Sequence, residues 1–368
     1  MLVRRAYQYR LYPTAAQAAG LDTVLWRCRE LYNACLGERI EAHKHGVSVN
    51  LYSQKRQLPG IKEVRPEYKL LNSQVLQDVV YRVDRAFAGL FRRKKAGLKG
   101  GFPRFRGRDR YDSFTLTQTG WKLVERRLTL TGIGPIKVRW SRALGGTVKT
   151  VTIRRDADHW YVSFSCVVDM PDVLSDAARP EIGIDVGLEH FATTSDGGHI
   201  ANPRHFRVGQ AVLTKRSQSL ARKKRGSKRR KKARLLVAKA HRKVRNQRRD
   251  FHHKTARVLV DGHGLIAVED LRIATMVRNH ALALSITDAG WGQFLTILSS
   301  KAAGAGCTVI AVNPAGTSQA CSGCGQRVPK SLSTRWHHCD HCGCSLQRDV
   351  NAAKNILTRA GQVLQAGA

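Results

Sequence analysis

From residue 180 onward the chain alternates short strand-like runs with helical stretches, and this alternation limits its fold more than any other feature. The order is EIGIDVG, HFATTSDG, a long basic helical region, GLIAVEDL, a helix, CTVIAVN, a cysteine-rich module and a closing helix, DVNAAKNILTRAG. Strands interleaved with helices build a sheet covered by helices, the plan of an α/β domain. Three isolated carboxylates, Asp185, Glu269 and Asp349, fall where one of these strands ends or a helix begins.

Each carboxylate has an ordinary explanation when taken singly. An Asp beside glycines is usually a turn residue, an Asp at a helix start offsets the helix dipole, and Glu269 is followed by Asp270, so the residues alone leave either as a ligand. Taken together they suit an RNase H-like α/β nuclease fold. Carboxylates are the hard donors that hold Mg²⁺ or Mn²⁺, and gathering several without a cation is opposed by mutual repulsion. Two such ions about 3.5 to 4 Å apart can activate water and neutralise both the phosphorane-like charge and the leaving oxygen. Gly187, just past Asp185, is expected to let substrate backbone approach closely.

Between the second and third carboxylates lie Cys321-x-x-Cys324 and Cys339-x-x-Cys342. Four thiolates on two tight turns match a tetrahedral Zn²⁺ ribbon, and a closed four-ligand shell makes that ion structural. Cys344, His337, His338 and His341 stand close enough in sequence to shift the ligand set by one residue, while Arg327, Lys330, Arg335 and Trp336 are placed to lie along a nucleic-acid strand. Cys28, Cys35, Cys166 and Cys307 fall in apolar contexts and read as core packing.

Upstream, residues 3–12 alternate as a strand until Pro13, and Thr14 is placed to cap a helix striped by Leu21, Val24, Leu25, Cys28, Leu31, Tyr32 and Cys35, with Gly46 near its end. A second helix begins near Ser73, carries Leu76, Val79, Val80, Val83, Phe87, Leu90 and Phe91 on one face, and stops at Gly97. Residues 113–170 then switch to short alternating segments, a β-rich barrel or sandwich that strand 3–12 is expected to join.

The net charge of +37 is far beyond what solubility needs and points to a polyanionic partner. It concentrates in two places. One follows the second helix, where Phe102 and Phe105 alternate with Arg104 and Arg106, a mixture suited to stacking on bases and meeting phosphates. The other is residues 215–249, with eighteen Lys or Arg, Arg229 and Arg230 among them, and no acidic residue. There Leu236, Ala240, Val244, Phe251, Thr255 and Val258 keep a helical stripe, and Gly226-Ser227 suits the bend of a helical hairpin. No apolar run approaches the ~20 residues that span a bilayer, so no membrane partner and a cytoplasmic location are expected.

These residues together resemble the TnpB (OrfB) proteins of bacterial insertion sequences, relatives of the type V CRISPR effectors. The likeness runs through YRLYPT, GFPRF, GIDVGL, VEDL, the CxxC pairs and RDVNAAKNIL, nearly the whole chain. It implies an RNA-guided DNA endonuclease with a RuvC-like centre in which Asp185, Glu269 and Asp349 bind Mg²⁺, the family pattern selecting Glu269 over Asp270. It also implies a transposon-derived guide RNA and double-stranded target DNA read at a short flanking motif, with base pairing supplying most of the sequence recognition. Tyr52, Ser73, Gln74 and Gln77 are the expected readers of that motif, since amides address base edges. The implied division is a β-barrel (wedge) domain at 1–13 and 99–178, a helical recognition insert at 14–98, a RuvC-like domain at 179–313 and 346–368, and a zinc-binding module at 314–345. A monomer associated with the bacterial nucleoid is expected. A nuclease-inactive RNA-guided regulator and a transposase acting directly in transposition are the alternatives.

Overall fold

The computed structural model describes residues 2–108, 110–169, 179–331 and 333–366. The chain is mixed α and β and divides into two units, Met1–Asp169 and Met170–Ala368. The expected boundary at 178 and 179 adjoins residues 170–178, which lie outside the described residues, as does Met170 at the end of the expected β-rich stretch.

The first unit opens with strand β1 (Leu2–Tyr12), followed by helices α1 (Ala15–Lys44), α2 (Leu51–Val64) and α3 (Ser73–Lys95). Strands β2 (Ser113–Leu116), β3 (Trp121–Val124), β4 (Arg127–Leu130), β5 (Gly134–Arg139), β6 (Thr147–Asp156) and β7 (His159–Asp169) complete it. The seven strands form one antiparallel sheet in the order β2-β6-β7-β1-β5-β4-β3. As expected, β1 joins the later strands, its register on β7 running from Leu2 opposite Asp169 to Leu11 opposite Trp160. Alternate residues of β7 (Trp160, Val162, Phe164 and Cys166) turn inward, the period-two pattern of a sheet with one covered face. Their cover is the apolar stripe of α1 and α3, and sheet and helices share one core.

Thr14 caps α1 through a reciprocal box with Gln17, the hydroxyl accepting from Gln17 N at 3.3 Å while Thr14 N donates to the Gln17 amide oxygen at 3.0 Å. Helix α2 has no counterpart in the sequence reading. It carries Pro59 internally and buries only Gln54 and Leu58, so no apolar stripe announces it. A polar clamp fixes it instead: Gln54 donates to the Cys35 carbonyl at 2.8 Å and accepts from Arg39 Nε at 2.8 Å, and Arg39 also pairs with Asp84 of α3 at 3.0 Å. Buried polar contacts of this kind orient three helices at once.

In the second unit β8 (Glu181–Val186), β9 (His190–Thr194) and β10 (His199–Ala201) lead into α4 (His205–Ala221) and α5 (Lys228–Gly262). Then come β11 (Leu265–Glu269), α6 (Ile273–Met276), α7 (His280–Ala289), α8 (Trp291–Ala302), β12 (Thr308–Val312), the small strands β13 (Trp336–His338) and β14 (Ser345–Gln347), and α9 (Arg348–Ala366). The main sheet runs β10-β9-β8-β11-β12, with β8, β11 and β12 parallel and β9 and β10 antiparallel. Four consecutive residues of β11 are buried, as a strand covered on both faces requires. Ile182, Ile184, Ile266 and Val268 pack toward α5 and α8, while Leu265, Ala267 and Val312 pack on Ile356 and Ala360 of α9.

The α4–α5 hairpin turns at the expected Gly226-Ser227, but its buried stripe differs from the sequence expectation. Leu236 and Val258 are exposed, and the buried line instead passes through Ala233, Ala240, Val244, His252, Ala256 and Leu259. Phe251 does pack on the core, edge-on to Phe191, but beside it the buried line runs through His252, whose ring nitrogen lies 2.8 Å from the Ala289 carbonyl, and leaves Val258 outside.

Candidate functional site

The sheet parity brings the first two carboxylates together. Strands β8 and β11 pair in parallel with Ile184 opposite Val268, so Asp185 and Glu269 are the next residues along neighbouring strands about 4.8 Å apart. Asp185 shares a face with Gly183, and Glu269 with Leu265 and Ala267, which is the face covered by α9. Asp349 is the second residue of α9. Asp270 takes the opposite parity beyond the strand end and its amide continues the ladder onto the Val312 carbonyl at 2.8 Å, so Glu269, not Asp270, shares the sheet face of Asp185.

Gly183 explains how the helix comes so close. A Cβ at that position would lie 2.0 Å from the Ala353 carbonyl oxygen and 2.9 Å from Leu357 Cβ, so α9 rests directly on the backbone of β8. The other glycine of GIDVG has a role different from the expected one: a Cβ on Gly187 would stand 2.9 Å from the His190 carbonyl oxygen, and its amide donates to Phe191 O. Gly187 serves the tight β8–β9 turn of its own chain.

Asp185 feels both of the other carboxylates. Burial, then the charges of Glu269 and Asp349, push the Asp185 carboxyl well above its ordinary range, with Arg348 opposing. Burial also raises Glu269, against a 2.6 Å hydrogen bond donated by the Thr317 hydroxyl and the positive charge of Arg359. Asp349 is paired with its neighbour Arg348 at 3.0 Å. The oxygens are near enough to interact yet do not all converge on one point: among the described residues, the ligand sets whose atoms all lie within 4.8 Å of one another are both in the cysteine module.

That module is built from two copies of one turn. Cys321 N donates to Gln326 O and Gly325 N to Cys321 O; Cys339 N donates to Cys344 O and Gly343 N to Cys339 O. Gly325 and Gly343 follow the second cysteine of each pair at φ 77° and 70°, a left-handed conformation that glycine adopts without Cβ strain. Cys321, Cys324, Cys339 and Cys342 bring all four sulfurs within 4.8 Å, with Cys321–Cys342 at 3.6 Å and Cys324–Cys339 at 3.7 Å. A tetrahedron with Zn–S bonds of about 2.3 Å has edges of about 3.8 Å, so the set fits zinc. Cys344 joins Cys321 and the buried His337 in a second, three-ligand set that shares Cys321. Although burial opposes it, N–H donors from Cys324 and Gly323, with His337 and Cys342, hold the Cys321 thiol down at about 5, in the thiolate range that metal ligation needs.

The closing helix ties this module to the carboxylates through residues the sequence reading passed over. Asn351 donates to the Ala320 carbonyl at 2.7 Å and accepts from Ser322 N at 2.9 Å, and Asn355 donates to the carbonyls of Thr317 and Ala320 at 2.8 and 2.7 Å. Both are buried, and their i, i+4 spacing in DVNAAKN was the available signal. Thr317, itself buried, thereby holds Glu269 on one side and α9 on the other.

The expected nucleic-acid residues fare differently. Tyr52 and Gln77 are exposed, Ser73 accepts from Lys62 Nζ at 2.7 Å, and the Gln74 amide oxygen is committed to the amides of Thr117, Gln118 and Thr119, leaving only its NH₂ for a base. Arg104 and Arg106 are exposed, with the Arg106 backbone pinned in both directions by Asn33 at 3.0 and 2.7 Å. Arg229 is exposed, whereas Arg230 Nη1 donates to the carbonyls of Leu220 and Lys223 at 3.0 and 2.8 Å and closes the end of α4.

Family models match residues 166–280 ("Probable transposase", OrfB of IS605), residues 291–356 ("Cas12f1-like, TNB domain") and residues 1–47 ("Helix-turn-helix domain"). The last stretch forms β1 and the single helix α1 here. A "Putative RNA-guided DNA endonuclease" of Streptomyces pristinaespiralis is 33% identical over 96% of this chain and 89% of its own length. The "Putative RNA-guided DNA endonuclease InsQ" of Escherichia coli (strain K12) is 30% identical over 99% of this chain and 94% of its own.

Proposed function

Because this chain belongs to the TnpB (OrfB) family, we propose that it is an RNA-guided DNA endonuclease that hydrolyses phosphodiester bonds at Asp185, Glu269 and Asp349. The observation that carries the chemistry is that Asp185 and Glu269 follow the paired Ile184 and Val268 on neighbouring strands, close enough to Asp349 that burial first, and then these two carboxylates, push the Asp185 carboxyl up. Such a cluster loses its protons to solvent when a cation binds. Three carboxylates spread wider than one ion can share suit a pair of Mg²⁺ or Mn²⁺ ions, which when bound supply the activated water and the charge neutralisation. Asp185 and Glu269 are ligands on rigid strands, Thr317 orients Glu269, and Arg348 neutralises Asp349 until a cation competes for it.

We read the five-stranded sheet with α9 as an RNase H-like (RuvC-like) nuclease domain and the seven-stranded sheet as an open wedge barrel, since its end strands β2 and β3 are not paired to each other. The helices between are the recognition insert, with Tyr52, Ser73 and Gln77, and Gln74 through its NH₂, addressing a flanking motif. Guide RNA lies on the basic α4–α5 hairpin and near Arg104 and Arg106. The protein acts as a monomer, and Zn²⁺ holds the four-cysteine module against α9.

The test is to co-express the chain with its element's end, sequence the RNA that co-purifies, and challenge the complex with plasmids of randomised flank in Mg²⁺. Site-directed cutting that Asp185→Ala abolishes, with RNA and DNA binding retained, is expected. Cutting retained in Asp185→Ala would refute the metal-site assignment.

A further inference from the structure

Beside the end of β8 opens a cavity of about 470 Å³ that the carboxylates do not line. Its walls come from the turn after β8 (Glu189), the segment into α4 (Asn202, Arg204 and Arg207), the end of α7 (Asp288) and the cysteine module (Arg335). Three guanidinium groups therefore face two carboxylates across a concave polar space. Asp288 is already engaged, since its two oxygens accept the Phe206 and Arg207 amides at 2.7 and 3.2 Å. That leaves Glu189 as counter-charge for three arginines.

Glu189 reaches only one of them. It pairs with Arg335 at 3.4 Å, with both side chains more than half exposed, the geometry of a weak, exchangeable ion pair. Arg207 donates to Ser285 Oγ at 2.8 Å and keeps its remaining N–H groups. Arg204 is exposed, and among the described residues no hydrogen bond or ion pair holds its guanidinium. Its backbone is left-handed at φ 45°, ψ 47°, an unusual choice for an arginine. A bare concavity of net positive charge attracts an anion, and arginine forks match phosphate oxygens. The place matters as much as the charge. Leu188 also lines the cavity and follows Asp185 by three residues, so the pocket wall begins within about 11 Å of that carboxylate along the chain.

We propose that this cavity grips a backbone phosphate of the DNA strand being cut, a few nucleotides from the scissile bond, through Arg204, Arg207 and Arg335. Glu189 occupies Arg335 until the phosphate displaces it, so the strand takes over the contact that Arg335 of the cysteine module makes with the β8 turn. This rests on the reading that the neighbouring carboxylates cut DNA. These arginines are positioning residues; they set where the strand lies and do not touch the reacting atoms.

The experiment uses the full chain with its guide RNA, carrying Asp185→Ala to prevent turnover, and target DNA with a single neutral methylphosphonate moved phosphate by phosphate. With the arginines intact, one to three positions weaken binding roughly threefold to tenfold, and the same positions lose their effect in Arg204→Ala and in Arg335→Ala. Each arginine lost also lowers the slope of log affinity against log salt by about one, and Glu189→Gln tightens binding. Arg204→Gly, which eases the left-handed backbone, behaves as Arg204→Ala; if it restored wild-type binding the effect would be conformational and the proposal wrong. An unchanged methylphosphonate profile in the arginine variants, or a profile that moves to the guide RNA, overturns it. Failure of the Asp185-intact complex to cut in Mg²⁺ counts against the nuclease reading, while the binding profile still judges the phosphate site.

Discussion

Gly183→Ala is a single added methyl that should disable a site it does not line. The new Cβ would fall 2.0 Å from the Ala353 carbonyl oxygen and 3.0 Å from Leu357 N, both backbone atoms that no rotamer can move. Ordinary contact begins near 3.4 Å, so α9 has to lift from β8 by about 1.4 Å at this point. Overpacking of this kind costs about 1 to 3 kcal/mol, and for a unit of this size each kcal/mol lowers Tm by roughly 2 to 4 °C. Asp349 stands four residues, about one turn, before Ala353 and moves with the helix, while Asp185 and Glu269 stay on the sheet. A misplacement of about 1 Å is enough to slow a positioned reaction roughly a hundredfold. The assay is single-turnover plasmid cleavage by the guide-loaded complex, at a temperature where circular dichroism shows the variant folded. Leu357→Ala in the same chain should recover little, because the tightest clash is with backbone. Cleavage within a few fold of wild type in Gly183→Ala would refute the claim that α9 is seated by a missing Cβ and that its seating sets the third carboxylate.

Three further outcomes follow from the same geometry. Thr317→Val removes the hydrogen bond that opposes the burial of Glu269, so that carboxyl rises further; if the ionised form is the metal ligand, as proposed, the acid limb of the cleavage pH profile should move to higher pH and be partly reversed by excess Mg²⁺. Cys321→Ser with Cys324→Ser should lower zinc content, Tm and cleavage together, and an unchanged zinc stoichiometry by metal analysis would count against the four-cysteine set. Arg229→Ala should reduce the salt slope of RNA binding by about one with little change in Tm, whereas Arg230→Ala should destabilise the α4–α5 turn by about 1 to 2 kcal/mol in hydrogen exchange.

What could be read from the sequence divides along physical lines. Period-two segments and the stripes of α1 and α3 were legible because each buries one face, although Phe91 at the end of the α3 stripe is exposed, and Thr14 announced its helix by chemistry that needs no tertiary partner. Helix α2 was not, because its clamp is Gln54 against Arg39 and Glu38, polar groups whose burial depends on residues in other helices. The drift of the buried face along α5 escaped for a related reason: a histidine bonded to a carbonyl counts as core, and hydrophobicity alone cannot see it.

In the site the same distinction decides which residues were found. Asp185, Glu269 and Asp349 were visible because charge at the end of an apolar strand or the start of a helix is conspicuous. The residues on which the proposed constellation depends are quieter: Gly183 by an absent Cβ, Asn351 and Asn355 by holding loop carbonyls, Thr317 by one hydroxyl. Their signals are geometric, and in one dimension a glycine in a strand or an asparagine in a helix reads only as a weak former of that element. The glycine that did attract attention, Gly187, serves its own turn. The closing segment RDVNAAKN thus does two jobs with one helical face: its first turn carries the third carboxylate, and its asparagines fasten the cysteine module through Ala320 to the helix that Gly183 seats. A disturbance of the cysteine module is thereby expected to reach the carboxylates through hydrogen bonds.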